Sequence, residues 1–540
     1  MPALEKNHIY RSTIEGYSSE GLGVARIDGQ VVFVHDAVRG EDCDILVMKV
    51  LKNVAFGKPV LRHSTSPHRQ EPDCPYYGRC GGCDFRHLDY AEELWAKRQR
   101  VQDALTRLGG SDVTVEEILG AAQPLRYRTK SQYPVSADGR VGFYRARSHQ
   151  VVEVEHCLLQ KPQADALAAA LRQYLAQYHV PGYDETTGRG LVRHLYVRTN
   201  CKGESLVCLL VNGESLPYET ELVALLRQAA PQTVGVVLGI NTRPGNAILG
   251  DRYRTLWGED ALTDVLCGRT VRLSVPSFYQ VNHPQAEVLY GKALEFAGLT
   301  GTELAVDLYF GAGTITQVLA RQARHVIGGE IVPEAIRDAR ASARRNGVEN
   351  VEFLEGDAVD VAAELARRQL RPDAICVDPP RKGLAPEVIT SIAAMAPRRV
   401  VYVSCDPGTL GRDVKHFAEM GYLTRRAVAV DLFPRTRHVE TVCLLSKLQS
   451  KEHIEIEVKM DELDLTAAES KATYEEIKAY VLEHTGLKVS HLYIAQVKQK
   501  CGIIERENYN KPKSENAKQP QCPPEKEKAI TEALRHFGMI

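Results

Sequence analysis

The chain has 540 residues, 44% of them hydrophobic and 25% charged, with a formal net charge of -1 at neutral pH. That length exceeds what one hydrophobic core serves and implies three or four domains, and the near-zero charge excludes a globally basic nucleic-acid binder, so any basic surface has to be local. No run approaches the roughly eighteen apolar residues needed to span a bilayer, and the first residues, MPALEKNHIYRSTIEGYSS, lack the apolar stretch of a signal peptide; a soluble, cytoplasmic chain with no membrane contact is expected.

Residues 8 to 62 alternate in short apolar runs broken by glycine, as in EGLGVARIDGQVVFVHD. Closely spaced short strands of this kind predict a small β-barrel, placed at 1–65. Barrels of this size serve either as packing modules or as binders of single-stranded RNA, and the pattern leaves both open. A cysteine cluster follows, then YAEELWAKRQRVQDALTRLGG, a helix stopped by its two final glycines. Residues 115 to about 265 mix strands and helices without a repeat, so 66–268 reads as a central α+β domain. From about 270 the pattern becomes regular: ELAVDLYF, HVIGGE, VEFLEGD, AICVDPP and RRVVYVSC are strands, each followed by a helical stretch. This alternation, over 269–448, predicts a parallel sheet covered on both faces, with its ligand site at the carboxyl ends of the strands. Residues 449–540 form an appendage: short helices with Ser490 as a cap and Gly502 as a stop, a polar stretch NYNKPKSENAKQPQCPPEKEK without structure, and a last helix near 525–537. The helix-turn-helix-like spacing, with Lys498 and Lys500 on its second helix, leaves nucleic-acid contact open, and a solvated helix face is the favoured reading.

Acids end successive strands of the sheet. DLYFGAGTIT places Asp307 near a strand end and Gly311 and Gly313 in the turn beyond it, where the backbone passes close beneath a nucleoside-bearing ligand. The spacing departs from G-x-G-x-x-G, so a dinucleotide fits poorly. Glu330 in IGGE is placed to accept ribose hydroxyls, Asp357 in LEGDA to meet an adenine edge, and Asp378 in AICVDPPRKGL faces the same crevice with two prolines fixing its backbone. Acids in this order without a phosphate-gripping lysine favour an adenosyl ligand lacking phosphates, of which S-adenosylmethionine is the common one. The fifth strand ends on Cys405, in VVYVSCDPGTL, and DLFPRTRHVETVCLLS opens an apolar strand on Glu440, where burial raises a carboxyl pKa toward that of a base. A thiol and a carboxylate at one crevice supply a nucleophile and a base. Carbon 5 of a pyrimidine is a methyl acceptor that needs both: thiolate attack at carbon 6 makes carbon 5 nucleophilic, and a base then removes its proton so that the thiolate can leave.

Thirteen cysteines in a cytosolic chain are not expected to pair as disulfides. Cys43, Cys201, Cys208, Cys267, Cys376 and Cys443 sit singly among apolar neighbours and read as small core residues, while Cys501 and Cys522 lack partners at ligand spacing. Cys74, Cys80 and Cys83 form a spaced triplet whose glycine-bearing turns let three thiolates converge; with a remote fourth they can hold zinc or a four-iron cluster, and the unequal gaps tilt toward iron. Further on, RYRTKSQYPVSADGRVGFYRAR carries Arg126, Arg128, Lys130, Arg140, Arg145 and Arg147 against Asp138 alone, interleaved with Tyr127, Tyr133, Phe143 and Tyr144. Read as strands, it puts Arg126, Arg128 and Lys130 on one face, and likewise Arg145 and Arg147, giving phosphate-binding cations beside stacking platforms such as Phe143. Arg193, His194, Arg198 and Lys202 form a second, less specific set.

DLYFGAGT, DPPRKGL, VSCDPGTL and FPRTRHVE resemble, in order and spacing, the bacterial RNA uracil-5-methyltransferases, particularly the branch acting on 23S ribosomal RNA, and the resemblance runs from the barrel to about residue 447. It implies a class I (Rossmann-like) methyltransferase domain behind an OB-like RNA-binding barrel, the TRAM domain, with Cys405 as nucleophile and Glu440 as base. It also implies S-adenosylmethionine contacts at Gln280 in PSFYQVN and at Tyr309, Thr314, Glu330, Asp357 and Asp378, around the loop of Gly311 and Gly313. A 4Fe-4S cluster is implied on Cys74, Cys80, Cys83 and Cys157, the last in VEHCLLQ; with every iron held by cysteine, a structural role is expected. Phe310 stands for a frequent cysteine, Asp406 for asparagine, and Arg437 is unusual before His438; none removes a catalytic atom, so these departures are expected to bear on substrate choice. The implied substrate is a uridine in a loop or bulge of 23S rRNA, extruded from its stack by a monomeric enzyme whose affinity falls steeply with salt. The alternatives are the same reaction on transfer RNA, whose branch typically lacks the barrel and the triplet, a non-catalytic ribosome-assembly factor that binds RNA, and an iron-sulfur redox enzyme.

Overall fold

The computed structural model of the chain describes residues 4–245, 247–447, 474–501, 522–537 and 539. It divides into two compact units, Met1–Ser450 and Lys451–Ile540. The first begins with five strands, β1 (Ile9–Tyr17), β2 (Gly23–Ile27), β3 (Gln30–Val34), β4 (Asp42–Val50) and β5 (Val54–Ser64), closed in the order β1-β2-β3-β5-β4. Alternation sends Ile14, Ala25, Val32, Ile45 and Val47 inward, and closure leaves no free sheet edge. Helix α1 (Tyr90–Asp103) starts where the Asp89 carboxylate accepts the Glu92 N–H at 2.7 Å and runs through a π-helical turn at Ala104–Leu108 to the expected glycine stop.

Next come β6 (Val115–Leu119), β7 (Lys130–Pro134), the hairpin β8 (Gly142–Tyr144) and β9 (Val151–Glu153), α2 (Pro162–Gln177), β10 (Val192–Thr199), β11 (Ser205–Val211), α3 (Glu219–Ala229), β12 (Thr233–Ile240), β13 (Arg252–Gly258), and the hairpin β14 (Ala261–Leu266) and β15 (Arg269–Ser274). A five-stranded sheet, β13-β12-β11-β10-β7, packs one face on α2 and α3. Its other face, with Tyr196, Leu206 and Cys208, shares a core with β14, β15 and the following helix α4 (His283–Ala297).

The rest of this unit is β16 (Leu304–Leu308), α5 (Thr314–Leu319), β17 (His325–Glu330), α6 (Pro333–Arg345), β18 (Val351–Glu355), α7 (Ala358–Arg367), β19 (Ala374–Val377), α8 (Pro386–Met395), β20 (Arg399–Ser404), α9 (Pro407–Glu419), β21 (Tyr422–Val430) and β22 (Glu440–Lys447). The sheet order is β18-β17-β16-β19-β20-β22-β21-β6. Strands β16 to β20 are parallel, as the alternation predicts, and β22 runs antiparallel between β20 and β21. Successive residues feed opposite cores: Val306, Ile375, Val400 and Tyr402 one side, Ala305, Cys376, Val401 and Val403 the other. Burial on both faces is why these strands read as continuous apolar runs. The order turns back at β16, whose neighbours β17 and β19 lead away on opposite sides and open a crevice at the carboxyl ends. One edge was not foreseen: β6, from the stretch assigned to the central domain, joins β21 in parallel and widens the catalytic sheet.

In the second unit, α10 (Tyr474–Thr485), α11 (His491–Lys500) and α12 (Pro524–His536) pack around Ile477, Val481, Ile494, Val497, Ile530 and Leu534. Ser490 caps α11 as expected. The stop at Gly502 and most of the polar stretch lie outside the described residues. Among the described residues no helix is long and apolar enough to cross a membrane. Two cysteines differ from expectation: Cys201 is exposed, and Cys267 is half-buried at a turn with φ 50°.

Candidate active site

The crevice is assembled by strand register. Leu308 pairs with Gly329 and Val377, so Tyr309, Glu330 and Asp378 follow at one level. Ser404 pairs antiparallel with Thr441, so the next step outward sets Cys405 against Glu440. The loop after β16 turns through left-handed conformations at Tyr309 (φ 70°), Gly311 (φ 56°) and Gly313 (φ 77°). A Cβ at Gly311 would meet nothing within 4 Å, whereas one at Gly313 would strike Ala339 at 2.8 Å: the first glycine faces open space, the second permits packing. Thr314 opens α5 directly after it.

Three backbone amides aim Glu330: Oε2 accepts from Gly311 at 3.0 Å, and Oε1 from Ile331 and Val332 at 2.9 and 3.0 Å. Asp357 caps α7, accepting the Val359 N–H at 2.9 Å; burial, with the Asp357 charge adding to it, raises the Tyr309 phenol to about 12. The loop from Asp378 to Leu384 is pinned by buried Asp413, which accepts from the Leu384 N–H at 2.8 Å and the Tyr402 hydroxyl at 2.7 Å. Gln280 precedes α4, with its side chain against the Tyr290 hydroxyl, and Tyr290 in turn senses Asp378 and Glu440.

These acids are held where water is scarce, and they hold their protons. Burial raises Asp378 to about 7. Burial and the Asp378 charge raise Glu440 to about 8, against an opposing pull from Arg381. Asp307, fully buried, is raised by burial to about 7 although Thr316 donates to it at 2.6 Å. The half-buried Cys405 thiol rises to about 11 through burial and the Glu440 and Asp378 charges, again with Arg381 opposing. His438, two residues before Glu440, is lowered to about 4 by burial and by Arg381, Arg437, Arg100 and Lys97, so it is neutral at physiological pH. Arg381 and Tyr290 were not singled out from the sequence. Arg381 carried a signal, a cation next to the acid of DPPRKGL; Tyr290 carried none, being an apolar-face residue of α4.

Two departures from the family pattern have packing and capping tasks here. Phe310 is buried against Phe353, ring centroids 5.0 Å apart, in a small core with Ile336 and Ala339. Asp406 caps α9, accepting the Thr409 N–H at 3.0 Å, a task that aspartate performs as well as asparagine.

Cys74, Cys80, Cys83 and Cys157 line one cavity of about 200 Å³, together with Arg86, Arg128 and Lys130. Burial raises Cys80, Cys83 and Cys157, and each senses other thiols of the set. Backbone N–H groups point at sulfur, from Gly82 to Cys80 and from Leu159 and Gln160 to Cys157. Arg86 is 1% exposed and lies 3.2 Å from Asp73, yet none of its three guanidinium nitrogens has a hydrogen-bond partner among the described residues. Burial and the Arg198 and Arg128 charges lower Lys130 to about 8. Three cationic side chains therefore line the thiol cavity, with Asp73 as the acid paired to Arg86.

The basic segment folds differently from its reading. Only Lys130 lies in a strand; Arg126 has φ 54° and donates from Nη1 to the carbonyls of Cys157 and Gln160 and to Asp165 at 2.7, 3.1 and 2.7 Å. Arg126 thus supports the Cys157 turn, and Arg128 and Lys130 face the thiol cavity. Phe143 packs on Tyr133 at 4.8 Å. Arg145 and Arg147 follow the end of β8, the latter at φ 58°, and both are exposed. In the second set Arg193 and Arg198 are buried. Arg193 donates to the Asn241, Arg243 and Gly245 carbonyls, and Arg198 to those of Val275 and Ser277 beside Gln280. His194 is buried as well, and only Lys202 is exposed.

A family profile described as tRNA (uracil-5-)-methyltransferase matches residues 268–448, and a TRAM domain profile matches residues 4–60. An uncharacterized RNA methyltransferase of Clostridium tetani is 40% identical over 447 residues, covering 82% of this chain and 97% of that one. Another, of Halalkalibacterium halodurans, is 41% identical over 447 residues, covering 82% and 98%. The crystal structure of Pyrococcus abyssi tRNA (uracil-54, C5)-methyltransferase in complex with S-adenosyl-L-homocysteine superposes with a TM-score of 0.66 at 24% identity, covering 81% of this chain and all of that one, which shows a shared fold. With a TRAM barrel, a class I sheet and this similarity along most of its length, the chain belongs to the S-adenosylmethionine-dependent RNA (uracil-5-)-methyltransferase family.

Proposed function

We propose that this protein methylates carbon 5 of a uridine in 23S rRNA through a covalent bond between Cys405 and carbon 6. The observation that carries this reading is the meeting of a half-buried thiol and a buried, proton-holding carboxylate on adjacent antiparallel strands at the cofactor crevice. S-adenosylmethionine, when bound, supplies the electrophilic methyl group. Glu330, with its oxygens aimed by three amides, receives the ribose; Asp357, Gln280 and Tyr309 line the remainder of that ligand, and Gly311 leaves room for it. Cys405 sulfur adds to carbon 6 of an extruded uracil, carbon 5 takes the methyl, and Glu440 removes the carbon 5 proton so that the carbon–sulfur bond breaks and the thiolate is regenerated. Arg381 eases ionisation of both groups, since its charge opposes their raised pKa values.

The four thiols fit a 4Fe-4S cluster. Lining cations, among them Arg86 with no hydrogen-bond partner among the described residues, together with amides aimed at sulfur and a cavity of about 200 Å³, suit a bulky anionic group. A single zinc ion fits less well. Sulfurs around it lie about 3.8 Å apart, given Zn–S of about 2.3 Å. Among the described residues, the group whose ligand atoms lie within 4.8 Å of one another is instead Cys201, Asp264 and His283. That group is a hydrogen-bonded turn, with His283 Nε2 donating to the Val265 carbonyl at 2.6 Å and Asp264 accepting from Tyr279 at 2.9 Å. The cluster would cross-link the loop of Cys74 to Cys83 to the turn at Cys157. RNA would meet the barrel and the exposed Arg145 and Arg147.

Transfer RNA is the second reading. The Pyrococcus abyssi enzyme named for tRNA aligns over 81% of this chain, far beyond the catalytic domain, so extent of similarity does not separate the two substrates. Mapping 5-methyluridine in ribosomal and transfer RNA from cells with and without the gene decides: loss of one 23S site supports the proposal, and loss confined to transfer RNA overturns the ribosomal assignment.

A further inference from the structure

The third departure from the family pattern, Arg437, is a junction. Its guanidinium lies 3.3 Å from Glu20 of the barrel and 3.2 Å from Asp84, the residue after Cys83. Its backbone N–H donates to the Asp84 carboxylate at 2.9 Å, and its carbonyl accepts from Arg100 of α1 at 2.9 Å. Two residues earlier, the carbonyl of Arg435 accepts from the N–H groups of Asp84 and Phe85 at 3.0 and 3.2 Å, while its own N–H donates to buried Glu93 at 2.6 Å. The Tyr127 hydroxyl donates to the Pro434 carbonyl at 3.0 Å. Residues 434 to 437 are therefore gripped from the cysteine loop, α1 and Tyr127 immediately before β22 opens on Glu440.

Half-exposed ion pairs such as Arg437–Asp84 add little to stability. What such a set of directional bonds fixes is position, and it does so three residues ahead of a group that must reach one proton. We propose that Asp84 is a positioning residue for Glu440, acting through the backbone at Arg435 and Arg437, so that order in the cysteine loop sets the proton-abstraction step. This rests on Glu440 being the base of uracil methylation. Because Glu440 acts after sulfur has added and methyl has moved, displacing it leaves those two steps standing and delays only release. Covalent enzyme–RNA adduct then builds up on ordinary, unfluorinated uridine. A role in folding alone would lower the amount of working enzyme without changing the ratio of adduct to product.

The test compares Asp84→Ala, Asp84→Asn and Tyr127→Phe with wild type and Glu440→Gln. All are purified anaerobically and given S-adenosylmethionine and RNA from cells lacking the gene. Methyl transfer in the first turnover is counted with labelled methyl, and adduct is read on denaturing gels. For Asp84→Ala, multiple turnover falls about tenfold while the first transfer stays within about twofold, and adduct accumulates. Asp84→Asn keeps an acceptor for the Arg437 N–H and recovers most of the release rate. Tyr127→Phe gives the same pattern more weakly and stands in should Asp84→Ala fail to fold. Transfer and release slowed in equal proportion without adduct, or Asp84→Asn no better than alanine, overturns the proposal. Adduct with Glu440→Gln but none with the Asp84 or Tyr127 variants overturns it alone; no adduct with Glu440→Gln removes the base assignment and the proposal with it.

Discussion

The cofactor crevice and the thiol cavity lie in the same compact unit and carry opposite surpluses of charge. Burial raises Asp307 and Asp378 to about 7 and Glu440 to about 8, and the Asp378 charge adds to the rise of the other two. Arg86, Arg128 and Lys130 crowd the cavity, and the Arg86 nitrogens make no hydrogen bond among the described residues, with Asp73 3.2 Å away as the ion-pair partner. The charges match the proposed occupants: the crevice suits the sulfonium cation of S-adenosylmethionine, and the cavity suits the anionic cluster proposed for it. The difference also separates their proposed tasks. Groups that hold protons near neutrality can pass them on, whereas guanidinium groups such as those of Arg86 and Arg128 stay charged and can only hold something in place.

The sharpest break in that comparison is Cys405→Ala. Methylation is expected to fall by roughly 10⁴-fold or more, while S-adenosylmethionine binding by calorimetry stays within about twofold, because the sulfur serves the RNA and not the cofactor. On the cavity side, Cys80→Ser is expected to lose the broad brown absorbance of an anaerobic preparation and roughly 3 kcal/mol of stability in denaturant titration. Arg86→Met, keeping all four thiols, is expected to retain iron but lower the cluster's midpoint potential, since a neighbouring cation favours the reduced, more negative state.

The pH dependence sharpens the crevice side. Glu440 must be ionised to accept a proton, so the methylation rate is expected to rise with pH through about 8. The effect on stability has the opposite sign. A carboxyl raised above its ordinary value of 4.5 binds its proton more tightly in the folded chain, so stability falls as pH climbs from about 4.5 through about 8. Glu440→Gln removes that loss: it is expected to match wild type near pH 4 and to exceed it by roughly 2 to 4 kcal/mol at pH 9. The smallest effect belongs to the exposed cations. Replacing Arg145 or Arg147 by alanine is expected to reduce the slope of log affinity against log salt by about 0.7 each and to leave first-turnover methyl transfer on saturating RNA unchanged.

How much of this was legible follows from how local each signal is. A strand that ends on an acid, a glycine turn or a thiol announces itself within ten residues, and parallel topology then collects those ends at one crevice; Glu330, Asp357, Asp378 and Cys405 needed nothing more. Glu440 was legible for the same reason, as a carboxylate opening an apolar strand. Cys157 lies far from its triplet in sequence, and only the family resemblance pointed to it. The basic segment and the second basic set misled because arginine has two uses with one appearance: Arg145 faces solvent, while Arg126, Arg193 and Arg198 turn inward to cap backbone carbonyls. β6 was missed because an edge strand, VEEIL with Glu116 and Glu117 exposed, has too little alternation to declare itself. The junction at Arg437 joins residues more than three hundred positions apart, and no periodicity records such a contact.

The most direct measurement is intact-mass analysis of the wild-type enzyme incubated with S-adenosylmethionine and target RNA carrying 5-fluorouridine. Fluorine replaces the proton that Glu440 would remove, so the expected result is a stable conjugate of one RNA per chain, bearing the transferred methyl and mapping by peptide digestion to Cys405. A protein that methylates ordinary uridine yet shows no conjugate at that sulfur would contradict the account.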